Sequence, residues 1–471
     1  MAGRFFRSST PAEAETPSKP DVLKLDEFST KSSNGAHKPA PFGSDAGAGP
    51  DFVAERVALH RHLLDKINLS ILDTMESEEI HEELRPLVRS YAKENKLPLN
   101  ATELDSLIKD IGDEMLGLGP LEPLLADDSI ADILIVGSGT TYVERRGKLE
   151  KTSVRFKDEA HLMRIVNKVV AAVGRRVDES SPLVDARLQD GSRVNVAIRP
   201  VAVDGPQVSI RKFSRNPLSL LKLVEAGALS KGMAELLAAA VEAKVSMIVS
   251  GGTGSGKTTM LNALSSFIPH DERLVTIEDA AELQLQQPHV VRLETRPPTV
   301  DGRNEILQRD LVKNALRMRP DRVIIGEVRG PEAFDMLQAM NTGHEGSMST
   351  IHANNPRDAI SRVEQMVGMA GMPMSQMAIR SQISSAVHMI VQLSRMRDGS
   401  RRVTSIAEIT GMEGDIIQLQ EIHKLRRLGV AEDGKISTEF RATGVRPSFI
   451  GDLETMNIHL DPHMFNPSTA L

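Results

Sequence analysis

One stretch constrains this chain more than any other: Ser246-Met247-Ile248-Val249-Ser250-Gly251-Gly252-Thr253-Gly254-Ser255-Gly256-Lys257-Thr258-Thr259. From Gly251 to Thr258 it follows the pattern G-x-x-x-x-G-K-[ST]. A phosphate chain needs many donors close together and no side chains in the way. Gly251, Gly252, Gly254 and Gly256 let the backbone fold tightly and aim N–H groups inward, with Thr253 and Ser255 between them. Lys257 brings a cation to the β- and γ-phosphates, Thr258 a hydroxyl to Mg²⁺, and Thr259 completes the set. The flanks agree. Val245 to Val249 is apolar and reads as a buried strand, while Thr258 to Phe267 reads as a helix stopped by Pro269, its positive end toward the phosphates. The expected ligands are ATP and Mg²⁺.

Such a loop belongs in an α/β sheet, and the pattern from residue 225 supplies one. Strands predicted at Leu274 to Ile277, Val290 to Leu293, Val323 to Glu327 and Ser347 to Ile351 alternate with helices at Ala234 to Ala243, Leu307 to Met318 and Glu332 to Met340. Alternation of this kind predicts a mainly parallel sheet covered on both faces. Residues 225–425 are thus read as the nucleotide-binding domain, closing with a hairpin around Asp398-Gly399-Ser400, and 426–471 as a C-terminal extension. Residues 118–213 read as a compact α+β domain, with strands at Ile133 to Val136, Thr141 to Glu144, Thr152 to Phe156, Val184 to Leu188, Arg193 to Ile198 and Gln207 to Lys212, and a helix at Ala160 to Val173. A linker is expected at 214–224. Three apolar sets at helical spacing, beginning at Phe52, Ile80 and Leu104, predict a three-helix bundle over 51–117. The first 50 residues are rich in Pro, Ala, Ser and Gly and are expected to be disordered.

Composition excludes some chemistry. The 471 residues include no cysteine, so disulfides and thiolate metal sites are ruled out. The net charge of −7, with no Trp and only two Tyr, argues against a basic, base-stacking nucleic-acid groove. No apolar run reaches spanning length. The expectation is a cytoplasmic protein whose membrane contact runs through partners.

Hydrolysis needs a carboxylate to handle a water and cations to stabilise charge on the transferred phosphoryl group. In open α/β sheets ligands sit at the carboxyl ends of strands. Thr276-Ile277-Glu278-Asp279 and Ile324-Ile325-Gly326-Glu327 both end apolar strands in acids. The usual Mg²⁺-side aspartate would precede Glu327, but Gly326 stands there. Mg²⁺ is therefore assigned to Thr258 with help from Glu278, and activation of the attacking water to Glu327. His344, in Thr342-Gly343-His344-Glu345-Gly346, is assigned to the γ-phosphate. Arg322 and Arg329, flanking the Glu327 strand, are weaker candidates that suit structural ion pairs as well.

These stretches, in this order, resemble the secretion and pilus-assembly ATPases of the type II/type IV secretion superfamily. The acidic box T-I-E-D-A-A-E-L, the strand V-I-I-G-E-V-R and the histidine box T-G-H-E-G-S-M-S-T-I-H-A-N carry the likeness, with Leu118-Gly119-Pro120-Leu121, Asp185-Ala186-Arg187-Leu188 and Asp190-Gly191-Ser192-Arg193-Val194-Asn195 upstream. Within that superfamily the chain looks most like the CpaF/TadA branch, which powers Tad (type IVc) pili. The resemblance covers about 60–425. It implies a RecA-like ATPase domain behind a small PAS-like α+β domain, and a hexameric ring with each nucleotide between the two domains. It implies inner-membrane platform proteins as partners. It also implies that Arg187, Arg193 and Arg211 reach the phosphates, although Asp190-Gly191-Ser192-Arg193 by itself reads equally as a polar hairpin turn.

Three rival readings stand beside this one: a nucleic-acid-translocating ring, a nucleotide-gated scaffold with little turnover, and a substrate-exporting type IV secretion ATPase. The cluster Met366, Met369, Met372, Met374 and Met377 could bind a soft metal, but such clusters more often serve as adaptable apolar packing.

Overall fold

The computed structural model describes Leu59 and residues 77–468, apart from 96, 98–99, 146, 214–217, 299–302 and 431–435. The expected disordered head and most of the first bundle helix lie outside these residues. The other two helices are present as α1 (Ser77–Glu94) and α2 (Ala101–Leu116). Leu84, Val88, Leu107, Ile108 and Ile111 recur at helical spacing and form one buried seam, into which Leu59 also packs. Asn100 starts α2 with a reciprocal cap. Its side chain accepts the Glu103 N–H at 2.9 Å, and Glu103 accepts the Asn100 N–H at 2.8 Å.

After a short α3 (Glu122–Ala126) the period changes to two. Six strands follow with one helix: β1 (Ile130–Val136), β2 (Thr140–Arg145), β3 (Lys148–Lys151), α4 (Glu159–Ala172), β4 (Leu183–Arg187), β5 (Arg193–Ala197) and β6 (Gln207–Arg211). They form an antiparallel sheet in the order β3-β2-β1-β6-β5-β4. Its inward residues, among them Ile133, Ile135, Val194, Val196 and Ile210, pack on Leu162, Val166 and Val170 of α4. One strand differs from the expected position. Thr152 to Phe156 is not a strand; the charged segment Lys148–Lys151 pairs with β2 instead. It forms the sheet edge, where charge is favoured over alternation, and Phe156 serves only as a core anchor.

The second sheet has nine strands, in the order β15-β14-β13-β12-β7-β11-β10-β8-β9. In chain order the elements are α5 (Leu220–Glu225), α6 (Lys231–Glu242), β7 (Met247–Gly251), α7 (Lys257–Ser265), β8 (Leu274–Glu278), β9 (Val290–Glu294), α8 (Gln308–Ala315), β10 (Arg322–Val328), α9 (Glu332–Asn341), β11 (Met348–Ile351), α10 (Pro356–Gly368), α11 (Gln376–Ala386), β12 (Met389–Arg395), β13 (Arg401–Glu413), β14 (Ile416–Val430), β15 (Ile436–Ala442) and α12 (Ile450–Thr455). The pairings from β12 through β9 are parallel, as expected from the alternation, and those from β12 through β15 are antiparallel. Side chains alternate across the sheet. Met247 and Val249 enter a core with α6 and α7, while Ile248 enters a second core with α9, α10 and α11.

Two expected boundaries move. Within 214–224, Leu220 and Leu223 are buried on α5, so the described end of that segment is packed helix. The boundary at 425 falls inside β14. β15 pairs with β14, and Phe449, Leu453, Met464 and Phe465 join the same core as Met247, so the C-terminal segment is part of this domain. In the methionine cluster Met366 is buried on α10, whereas Met369, Met372 and Met377 are exposed. Among the described residues, no helix is long and apolar enough to cross a membrane.

Candidate active site

β7 is buried along its whole length, and at Gly251 it leaves the sheet as the phosphate loop. Gly254 and Gly256 hold φ of +67° and +96°, which a side chain would strain, and Gly256 caps α7. Lys257 opens that helix. Its side chain is buried and curls over the loop, donating to the carbonyls of Gly251 and Gly252 at 3.1 Å each. Burial lowers its pKa from the ordinary lysine value, with Glu327 opposing the shift.

Both predicted acids lie at the carboxyl end of the sheet. Glu278 ends β8 and is buried. Its Oε1 accepts the N–H groups of Glu282 and Leu283 at 2.9 and 3.0 Å, while Oε2 is buried without a partner. Burial outweighs these bonds and raises its pKa to about 7. Glu327 stands near the end of β10. Burial disfavours its charge, yet the Arg329 hydrogen bond at 2.7 Å, with His352 and Lys257 nearby, holds its pKa below the usual range. Arg329 also lies 3.6 Å from Asp279, so it belongs to this site. Arg322 does not. It is fully buried, paired with Glu272 at 2.5 and 2.9 Å, and donates to the Val241 carbonyl at 2.6 Å, a structural role.

His344 is a correction. β11 runs parallel to β7, with Ile351 beside Ser250. His344, four residues before β11, therefore lies at the end of the sheet opposite the phosphate loop. There the neighbouring Gly346 packs against Lys244 and Arg322, and the His344 ring lies 3.3 Å from the Ala339 carbonyl. The histidine that reaches the loop is His352, just past the other end of β11. Its Nε2 lies 2.7 Å from Glu327 Oε1 and 3.3 Å from Lys257 Nζ. Burial and the Lys257 charge lower its pKa, with Glu327 opposing the shift. It was quoted in the histidine box, and the strand-end rule that selected Glu327 selects it too.

The three N-terminal-domain arginines line a cleft of about 1180 Å³ between the domains. Each meets an acid: Arg187 with Glu294 at 2.9 Å, Arg193 with Glu282 at 2.7 Å and Arg211 with Asp132 at 3.1 Å. No phosphate-loop residue lines that cleft, so the structure does not bring them onto the loop. The arginines that touch the loop are Arg395 and Arg401, which the sequence reading missed. Arg401 donates to the Gly254 carbonyl at 2.9 Å.

The residues fit Mg²⁺. Glu278 Oε2 is a buried carboxylate oxygen with no partner, and Thr258 in the first turn of α7 adds a hydroxyl. Gly326 does not weaken that assignment, because Glu278 fills the space that an aspartate side chain there would need.

Comparison with known proteins identifies the family. The family pattern described as Type II/IV secretion system protein matches residues 114–440. A Mycobacterium tuberculosis protein, named provisionally for conjugal transfer, is 38% identical over 341 residues, covering 71% of this chain and 96% of its own. The conjugal transfer protein TrbB of Rhizobium radiobacter is 32% identical over 299 residues, covering 63% and 88%. The crystal structure of the VirB11 ATPase from the Brucella suis type IV secretion system is 28% identical, covers 61% of this chain and 95% of its own, and superposes with a TM-score of 0.33. The chain belongs to the Type II/IV secretion system protein family, and with its phosphate loop beside Glu327 it is an ATP hydrolase.

Proposed function

We propose that this protein is the homohexameric motor of a Tad (type IVc) pilus, working at the cytoplasmic side of the inner membrane through platform proteins that move pilin subunits. The observation that carries the motor reading is the cluster Lys257–His352–Glu327 beside the phosphate loop. Lys257 exchanges the Gly251 and Gly252 carbonyls for the β- and γ-phosphates. Those phosphates also attract Arg329, which frees the Glu327 carboxylate to accept a proton from the attacking water. His352, beside both groups, holds Glu327 toward the γ-phosphate. Thr258 and Glu278 would hold Mg²⁺, which would neutralise phosphate charge. Closure of the N-terminal domain over nucleotide and its release after hydrolysis supply the stroke.

The resemblance to the CpaF/TadA branch supports the pilus assignment; the acidic and histidine boxes are common to both readings. The names of the relatives favour a second reading, a motor for conjugal transfer or type IV secretion. Steady-state ATPase activity and native mass, for wild type and Glu327→Gln with and without DNA, test the motor. A hexamer with Mg²⁺-dependent turnover that needs Glu327 and ignores DNA supports it. A monomer without turnover argues for a scaffold, and strong DNA stimulation for a translocase. A deletion strain scored for pili and for conjugal transfer separates the two destinations.

A further inference from the structure

Arg395 and Arg401 face each other across the β12–β13 pair. Like charges directly opposite on neighbouring strands destabilise a sheet unless an anion lies between them. The site of this pair is set by register. β12 runs parallel to β7 with Leu393 beside Gly251, so Arg395 lies two residues past the point where the phosphate loop leaves the sheet. The hairpin that carries both residues is pinned. Asp398 accepts the N–H of Ser400 at 3.0 Å and, across to β15, that of Ile436 at 2.9 Å.

Both guanidiniums rest against the loop. Arg401 donates from Nε to the Gly254 carbonyl at 2.9 Å, and a Cβ on Gly254 would meet Arg395 Nη1 at 3.3 Å. From the other side they meet the N-terminal domain. Arg395 donates to the Gly147 carbonyl, and Glu144 of β2 lies 3.8 Å from Arg395 and 3.9 Å from Arg401. One carboxylate, beyond hydrogen-bond distance, thus faces two cations, and among the described residues most of their N–H donors make no hydrogen bond.

We propose that Arg395 and Arg401 form a nucleotide-operated latch, in which the polyphosphate of a bound nucleoside diphosphate or triphosphate displaces Glu144 from the two guanidiniums, so that the β2–β3 edge leaves its direct contact with the phosphate loop and the N-terminal domain closes over the nucleotide instead. The latch rests on the phosphate-loop reading of Gly251–Lys257. A polyphosphate outcompetes Glu144 because it carries several charges and accepts forked arginine hydrogen bonds. Arg395 and Arg401 are positioning residues here. They couple domain contact to nucleotide and take no part in proton transfer.

The test is calorimetric titration of the full-length protein with ADP. If Glu144 competes with nucleotide, Glu144→Gln binds ADP about fivefold more tightly than wild type, the scale of a modest coupling. Arg395→Gln with Arg401→Gln together weaken ADP binding about tenfold or more, as loss of charge-assisted bonds requires. In the triple variant the Glu144→Gln gain disappears, and its affinity matches the arginine double variant. A gain that persists in the triple variant, or unchanged affinity in Glu144→Gln, overturns the latch. Lys257→Ala separates the two levels. If it binds ADP like wild type, the phosphate-loop reading itself falls. If it loses ADP while the Glu144 and arginine variants match wild type, only the latch falls. Should the arginine variants fail to fold in a thermal melt, Glu144→Gln decides alone.

Discussion

Gly326 and Glu278 claim the same space: a Cβ on Gly326 would stand 2.6 Å from Glu278 Cγ and 3.1 Å from its Oε1. The missing acid before Glu327 is therefore a steric requirement of the acid at the end of the neighbouring strand. β10 and β8 pair in parallel with Ile325 beside Ile277, which brings the two positions together. Glu278 is buried and tied to two backbone N–H groups, so it has little room to retreat. Gly326→Ala is expected to cost about 1–3 kcal/mol, as other overpacked sites do. Denaturant melts check this, and adding Glu278→Ala to Gly326→Ala should recover part of the loss. If the double variant is no more stable than Gly326→Ala, the two residues do not collide.

Glu327→Gln keeps the shape of the side chain and removes its ability to take a proton. Turnover should fall about 10²-fold or more, in line with loss of a general base, while ADP affinity stays within about threefold. Single-turnover hydrolysis and ADP titration on the same preparation give both readings. Wild-type turnover in this variant would remove Glu327 from the role.

The two histidines around β11 should behave differently. His352→Ala is expected to reduce kcat about tenfold by releasing Glu327 from its position. His344→Ala, at the opposite end of the sheet, should leave kcat within about twofold, since its ring and carbonyl meet only the Ala339 carbonyl and the Ser347 hydroxyl among the described residues. Equal losses in both would contradict the placement of the site at the carboxyl end of β11.

Glu278 gives the protein a pH dependence with a definite sign. Its folded pKa is raised to about 7 from 4.5, so between those values the folded chain holds a proton that the unfolded chain has released. Stability from this group is complete below about pH 4.5 and is lost as pH rises through 7, on the order of 3 kcal/mol at most. Glu278→Gln cannot ionise. Its melting temperature relative to wild type should therefore rise from pH 5 to pH 7.5 and then level off. A constant difference across that range would show that Glu278 ionises freely in the fold.

The phosphate loop was legible because glycine spacing and the flanking apolar and helical patterns are local properties. Glu278 and Glu327 were legible because acids that close apolar runs need only one rule about strand ends. His344 and His352 sit eight positions apart on either side of one four-residue strand, and only its direction says which of them meets the loop. That direction follows from pairing with β7, which is about a hundred residues away. Arg395 and Arg401 were illegible for the same reason, since their place depends on β12 lying beside β7. Arg187, Arg193 and Arg211 were found as a set of cations, but pattern alone could not show that each faces an acid across or beside the domain cleft.

The strand β14 continues past the last recognisable motif, and that has a practical consequence. A protein trimmed at residue 425, the domain boundary that the sequence pattern suggested, would end in the middle of a strand and lose β15 altogether. The row of N–H and C=O groups that β15 now satisfies would be open to any other chain with a free edge. Loss of Phe449, Leu453, Met464 and Phe465 would also uncover apolar surface over the core that supports the phosphate loop. Shortened proteins of this kind should go to inclusion bodies, and an inactive one would say nothing about what the tail does for ATP hydrolysis.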